Sequence, residues 1–133
     1  MPDFHFEYDA ANRVLAVRVT GTFTDATMKA LYAGISDQVR QRNVRAALLD
    51  LTATAHFDVS AEAVRQMSSL TPLLPDPIPK YIIAAQDHMF GMARMFQITS
   101  RGRDALRIVR SAQDVYSELG LAGAAQFERL DTH

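Results

Sequence analysis

From Phe4 to Thr20 apolar residues recur with a period of two, and from Thr24 onward stretches of helical period alternate with short apolar runs. This alternation constrains the fold more than any other feature of the chain. A two-residue period places one face of a strand in a core, whereas a 3.6-residue period places one stripe of a helix there. Phe4, Phe6 and Tyr8 alternate with His5 and Glu7, and Asp9-Ala10-Ala11-Asn12 has turn composition. Leu15, Val17 and Val19 then share one face, with Arg18 and Thr20 on the other. The two runs predict an antiparallel hairpin.

Beyond Gly21, Thr24 is suited to cap a helix, because its hydroxyl can accept a bond from an amide two or three residues on. Phe23 and Met28 are spaced as a hydrophobic staple across that cap. Met28, Leu31, Tyr32, Ile35 and Val39 form one stripe of a helix that ends near Asn43. Ala46 to Leu51 is nearly continuous apolar sequence, as expected of a strand covered on both faces. A loop over Thr52 to Phe57 follows, then a helix starting near Asp58 or Ser60, with Val64, Met67 and Leu70 inward. Pro72, Pro75, Pro77 and Pro79 exclude regular structure and predict a stiff, exposed connector. Tyr81 to Ala85 is a third buried strand, Gln86-Asp87-His88 a turn, Met89 to Thr99 an apolar helix and Leu106 to Val109 a strand. Ser111 and Asp114 open the last helix as a reciprocal cap, and Gly120 closes it. Patterning is weak from about residue 122, where Phe127 and Leu130 remain available to pack back.

The order β-β-α-β-α-β-α-β-α predicts one α/β domain over residues 1–133, with a mixed, mostly parallel sheet of about five strands and about four helices. A chain of 133 residues is long enough to bury its own core. It contains no cysteine, which excludes disulfides and thiolate chemistry and suits a cytoplasmic setting. The first residues lack a basic start and a continuous apolar run, so no leader is expected. Fifteen acids against 14 bases leave a net charge of −1, which argues against a nucleic-acid partner. Locally, five arginines (Arg94, Arg101, Arg103, Arg107 and Arg110) face one acid, Asp104. They form either a solvated rim or a patch for anions or phospholipid.

In open α/β sheets ligands usually sit beyond the carboxyl ends of the strands. Asp50 to Ser60, Gln86 to Phe90 and Ser111 should converge there. Asp50 can order the loop that follows it, and Ser60 can cap a helix. His56, Asp58, Asp87 and His88 show no spacing typical of a zinc site, so no metal or cofactor is expected. No G-x-S-x-G elbow, phosphate-binding glycine loop or oriented acid–base pair is present, and the chain is expected not to be an enzyme. Met89, Phe90, Met92, Met95 and Phe96 put large apolar groups on more than one side of their helix. Either Phe90 with Ala93, or Met89 with Met92 and Phe96, should cover the sheet. The remainder can form a soft surface for a partner helix, a second copy of the chain in a homodimer, or a lipid tail.

Asp50-Leu51-Thr52 followed by Asp58-Val59-Ser60-Ala61 resembles the paired motifs of STAS domains that act as anti-sigma-factor antagonists. The layout as a whole, with Phe90-Gly91-Met92-Ala93-Arg94-Met95-Phe96, is similar to the SpoIIAA-like family. The resemblance implies a non-enzymatic regulatory module with a protein partner, Ser60 as phosphoacceptor and Asp58 as its acidic neighbour. Val59 stands where that motif has a small hydroxyl residue, and Ala61 where it has glycine. Two expectations follow. One is an interaction module whose partner surface lies near Asp50, Asp58, Ser60 and His88. The other is a binder of a small amphipathic ligand or membrane surface, using Met89, Phe90, Met92, Arg94 and Met95 with the proline loop 72–79.

Overall fold

A computed structural model describes residues 3–70, 74, 78–99, 105–121 and 126–130. Pro72, Pro75, Pro77, Arg101, Arg103 and Asp104, named above, lie outside that set. The order of elements is β1 (Phe4–Asp9), β2 (Val14–Val19), β3 (Thr22–Thr24), α1 (Asp25–Gln41), β4 (Ala46–Asp50), β5 (His56–Asp58), α2 (Ala61–Ser68), β6 (Lys80–Ile83), α3 (Asp87–Thr99), β7 (Leu106–Val109), α4 (Ala112–Leu119) and β8 (Glu128–Arg129). The main sheet runs β7-β6-β4-β2-β1-β8, and β3 pairs with β5 in a second, two-stranded sheet. Strands β2, β4, β6 and β7 are parallel, and β1 is antiparallel to both β2 and β8. This is the α/β class with a mostly parallel sheet expected from the periodicity. Among the described residues no helix is long and apolar enough to cross a membrane.

Side-chain chemistry fixes the helix ends. The hydroxyls of Thr24, Ser60 and Ser111 accept bonds from the amides of Thr27, Ala63 and Asp114. Gly120 ends α4 at φ 70°, a left-handed conformation that glycine adopts without a steric penalty. In the hairpin turn both carboxylate oxygens of Asp9 accept from Asn12, which stitches the turn closed.

Several expectations change. His56 and Phe57, read as loop, belong to β5, and Thr22 to Thr24 form β3. The turn Gln86 to His88 is cut short because α3 already begins at Asp87. Leu70 was expected inward but is 42% exposed, because α2 ends at Ser68 before the stripe returns to the sheet.

Helices α1, α2 and α3 pack on one face of the sheet, with Leu15, Val17 and Val19 beneath them. Helix α4 packs on the other, where Val115 meets Val14, Ala16, Leu48 and Ile83. The alternation of β2 therefore separates two cores, not core from solvent. Gly34 lets α1 approach this layer: a Cβ there would lie 2.8 Å from the buried Phe6 ring. Phe6 packs edge-on against Phe4 at 5.7 Å and has little room to yield. Gly34→Ala is expected to destabilise by about 1–2 kcal/mol, because overpacking outweighs the helix-propensity gain. Urea denaturation would measure this, and an unchanged midpoint would show that Phe6 moves freely.

Candidate functional site

Along β4 and β6, burial alternates in a way that reveals a gap. Ala46, Leu48 and Asp50 are buried on the α4 face, whereas Ala47 and Leu49 are only half-buried on the other. On β6, Tyr81 and Ile83 are buried, and Lys80 and Ile82 are half-buried. Interior strands of a parallel sheet are normally covered on both faces. Here the three-helix face leaves a cleft of about 210 Å³ between α1 and α3. Val17, Leu49 and Ile82 floor it. Leu31, Tyr32 and Ile35 of α1 form one wall, and Met89, Met92 and Phe96 of α3 form the other. Among the described lining residues Lys80 is the one that carries a charge. The volume exceeds the roughly 150 Å³ of an apolar cavity that stays dry and binds benzene. The chemistry on offer is therefore shape and apolar contact.

The cleft differs in character along its length. At the carboxyl ends of the strands, Phe23, Leu51, Val59, Val64, Met67 and Met89 are all buried. Phe57 stacks on Phe23 with ring centroids 5.5 Å apart, and the His88 ring meets Phe57 edge-on at 5.4 Å. At the amino ends, Ala47, Lys80, Ile35 and Phe96 are half-buried, as is Ile82 further along the floor. Val59 thus has a structural reason to be apolar: it forms part of the closed end.

The residues singled out from the sequence do not gather at one place. Met89 and Met92 line the cleft, and Met89 is buried with Ala93, a pairing that mixes the two alternatives expected for α3. Phe90 and Met95 are half-buried against the same core. Arg110 lies over the Phe90 ring at 4.0 Å and donates to the Asp87 carboxylate and the Ala85 carbonyl. Arg94 donates to Gln97, and Arg107 pairs with Glu118. The described arginines of the basic stretch are thus spread over local partners. His88 and Asp58 are exposed.

Asp50 is turned to the opposite face. Its Oδ2 accepts from Arg18 at 2.6 Å, and its Oδ1 accepts from the amide and hydroxyl of Thr52. It both orders the loop and anchors a charged row across the sheet. In that row Arg18 also donates to Glu7, which is 2.6 Å from His5. Burial opposes the Arg18 charge, but bonds to Tyr116 and Asp50 and the charge of Glu7 outweigh it and raise its pKa. Phe127 covers the guanidinium at 5.1 Å. Among the described residues no group of three or more acidic or histidine side chains is placed to hold a metal ion.

Ser60 sits where two helices begin. Its amide and hydroxyl both donate to the Asp25 carboxylate, each at 2.9 Å, while its Oγ accepts from the Ala63 amide at 3.0 Å. This clamp ties the first turn of α1 to that of α2. Ser60→Ala removes both side-chain bonds and is expected to cost about 1–2 kcal/mol. Ser60→Thr should recover most of that loss. Equal stability of all three proteins in urea would show that the clamp contributes nothing.

Sequence reasoning did not single out Tyr32, Leu49, Lys80 or Ile82 as site residues. The sequence carries one relevant signal, a lysine at the head of an otherwise apolar strand.

A sheet with this order, three helices on one face and one on the other, defines a module with the SpoIIAA-like, or STAS-like, fold. The crystal structure of an uncharacterized DUF3478-family protein from Shewanella loihica PV-4, itself described as having a SpoIIAA-like fold, aligns with a TM-score of 0.56. The alignment covers 87% of this chain and 91% of that one at 15% identity, a likeness of fold alone. No family model and no curated protein matches the sequence.

Proposed function

We propose that this chain is a non-enzymatic binding module that holds the apolar part of a small amphipathic molecule in the cleft between α1 and α3. The half-burial of Leu49 and Ile82, on interior strands of a parallel sheet, carries the reading. Leaving those side chains uncovered forfeits hydrophobic stabilisation, roughly 25 cal/mol for each Å² left exposed. An apolar chain laid over them would supply the missing contact. Methionines suit such a wall, because unbranched, polarisable side chains adapt to differing occupants.

The alternative, a partner-binding module switched at Ser60, has less support from the geometry. The Ser60 hydroxyl proton is directed at Asp25, so a phosphate there would set two anions against each other at the clamp.

Calorimetric titration of the protein with octanol, an uncharged amphiphile, tests the proposal. Saturable heat at one site per chain is expected, with a negative heat-capacity change from apolar burial. Absence of saturable heat at the solubility limit of octanol would refute it.

A further inference from the structure

The closed end of the cleft and the length of its walls define what can lie in it. We infer that the cleft holds one unbranched alkyl chain of about seven or eight carbons, its methyl end seated against Phe23, Val59 and Met89. The occupant so defined rests on the cleft being a binding site, as proposed above, and adds to it a shape, a length and a direction.

Met89, Met92 and Phe96 follow one another at helical spacing along α3, and Leu31 and Ile35 do so along α1, so the walls make a slot that runs with the helices. Such a slot takes a chain lengthwise. Two measures of its capacity agree. Helix α3 rises about 10 Å from Met89 to Phe96, the reach of an extended chain of about eight carbons. The volume of about 210 Å³ has room for about seven methylenes, each taking roughly the 30 Å³ of a water molecule in the liquid.

The far end is a stop. Phe23, Leu51, Val59 and Met89 line it and are buried. Phe57 stacks on Phe23, and His88 meets Phe57 edge-on, so the Phe23 ring has a stiff backing. A polar head seated against these four side chains would lose its water and find only apolar groups among them. A terminal methyl suffers no such loss, so the tail points to the carboxyl ends of the strands. No particular charge on the head is required.

Calorimetric titration of the full chain with butanol, hexanol, octanol and decanol reads the length. Affinity is expected to rise about threefold to fourfold with each carbon up to octanol, and by less than about twofold in all from octanol to decanol. Octane-1,8-diol should bind at least roughly tenfold more weakly than octanol, because one hydroxyl must enter the closed end. Met89→Ala deepens the slot and should move the break from octanol to decanol. A steady rise through decanol in the wild-type protein, or a diol that binds as tightly as octanol, would overturn the assignment and leave the cleft reading standing. So would a break that stays at octanol in folded Met89→Ala protein. If none of the alcohols binds, the cleft reading falls and the assignment falls with it. The wild-type series needs no variant, so a misfolded Met89→Ala cannot obscure the result.

Discussion

Ile82→Phe is expected to lose octanol binding by roughly tenfold to fiftyfold while its stability holds or rises by about 1 kcal/mol. The side chain of Ile82 lies on the cleft floor and is half-buried. A phenyl group there would occupy the space of two or three ligand methylenes, each contributing about 0.8 kcal/mol. The same ring fills a space that the protein alone leaves uncovered, so folding does not suffer. The neighbouring position supplies the contrast. Ile83 is fully buried on the α4 face against a packed core. Ile83→Phe is expected to destabilise by about 1–3 kcal/mol and to leave octanol affinity of the folded protein unchanged. Paired calorimetry and urea denaturation would read both variants. Opposite behaviour of the two neighbours is the signature of a cleft on one face. Loss of stability in Ile82→Phe equal to that in Ile83→Phe would mean that the floor is already packed.

Asp50→Ala is expected to cost about 2–3 kcal/mol, a larger loss than that of Gly34→Ala or Ser60→Ala. Breaking a fully buried ion pair by removing one partner typically costs 3–5 kcal/mol, about 4 in the middle of that range. Arg18 and Asp50 keep 18% and 12% side-chain exposure, so residual solvent softens the penalty. The loss has two parts: among the described residues Arg18 retains only Glu7 as an anionic partner, and Thr52 loses the acceptor for its amide and hydroxyl. Replacing both partners by apolar groups removes the uncompensated charge. The double variant Arg18→Met with Asp50→Leu should therefore recover at least half of the loss. A denaturation midpoint for Asp50→Ala close to that of the wild type would show that the row contributes little to folding. It would then be free for some other role.

Local chemistry made much of the fold legible before any coordinates. The hairpin followed from alternation at Phe4 to Val19, and the starts of α1 and α4 followed from Thr24 and Ser111; for α2 the sequence offered Asp58 or Ser60, and Ser60 is the cap, all three hydroxyls bonding the amides ahead of them. Short elements escaped. β3 and β5 are three residues each, and their pairing depends on the chain returning from β4, which no local pattern encodes. β8 is two exposed charged residues with no apolar period. The charged row was hidden for a related reason: Arg18 meets Asp50 through the register of β2 on β4, across a helical crossover.

The cleft was the least legible feature. Leu49 and Ile82 belong to apolar runs that predict burial on both faces. Whether they are covered depends on how far α1 and α3 stand apart over the sheet. That spacing arises from helix packing summed over many contacts, not from the identity of either residue. The Met-rich character of α3 did point to the right helix, although only Met89 and Met92 of its three methionines line the cleft.

Methyl-resolved nuclear magnetic resonance of the chain titrated with octanol tests the central claim most directly. The methyl signals of Ile35, Leu49, Ile82 and Met92 are expected to shift together with one saturation curve. Those of Ile83 and Val115, on the α4 face, should stay in place. Shifts confined to the α4 face, or no saturable shift at the cleft methyls, would contradict it.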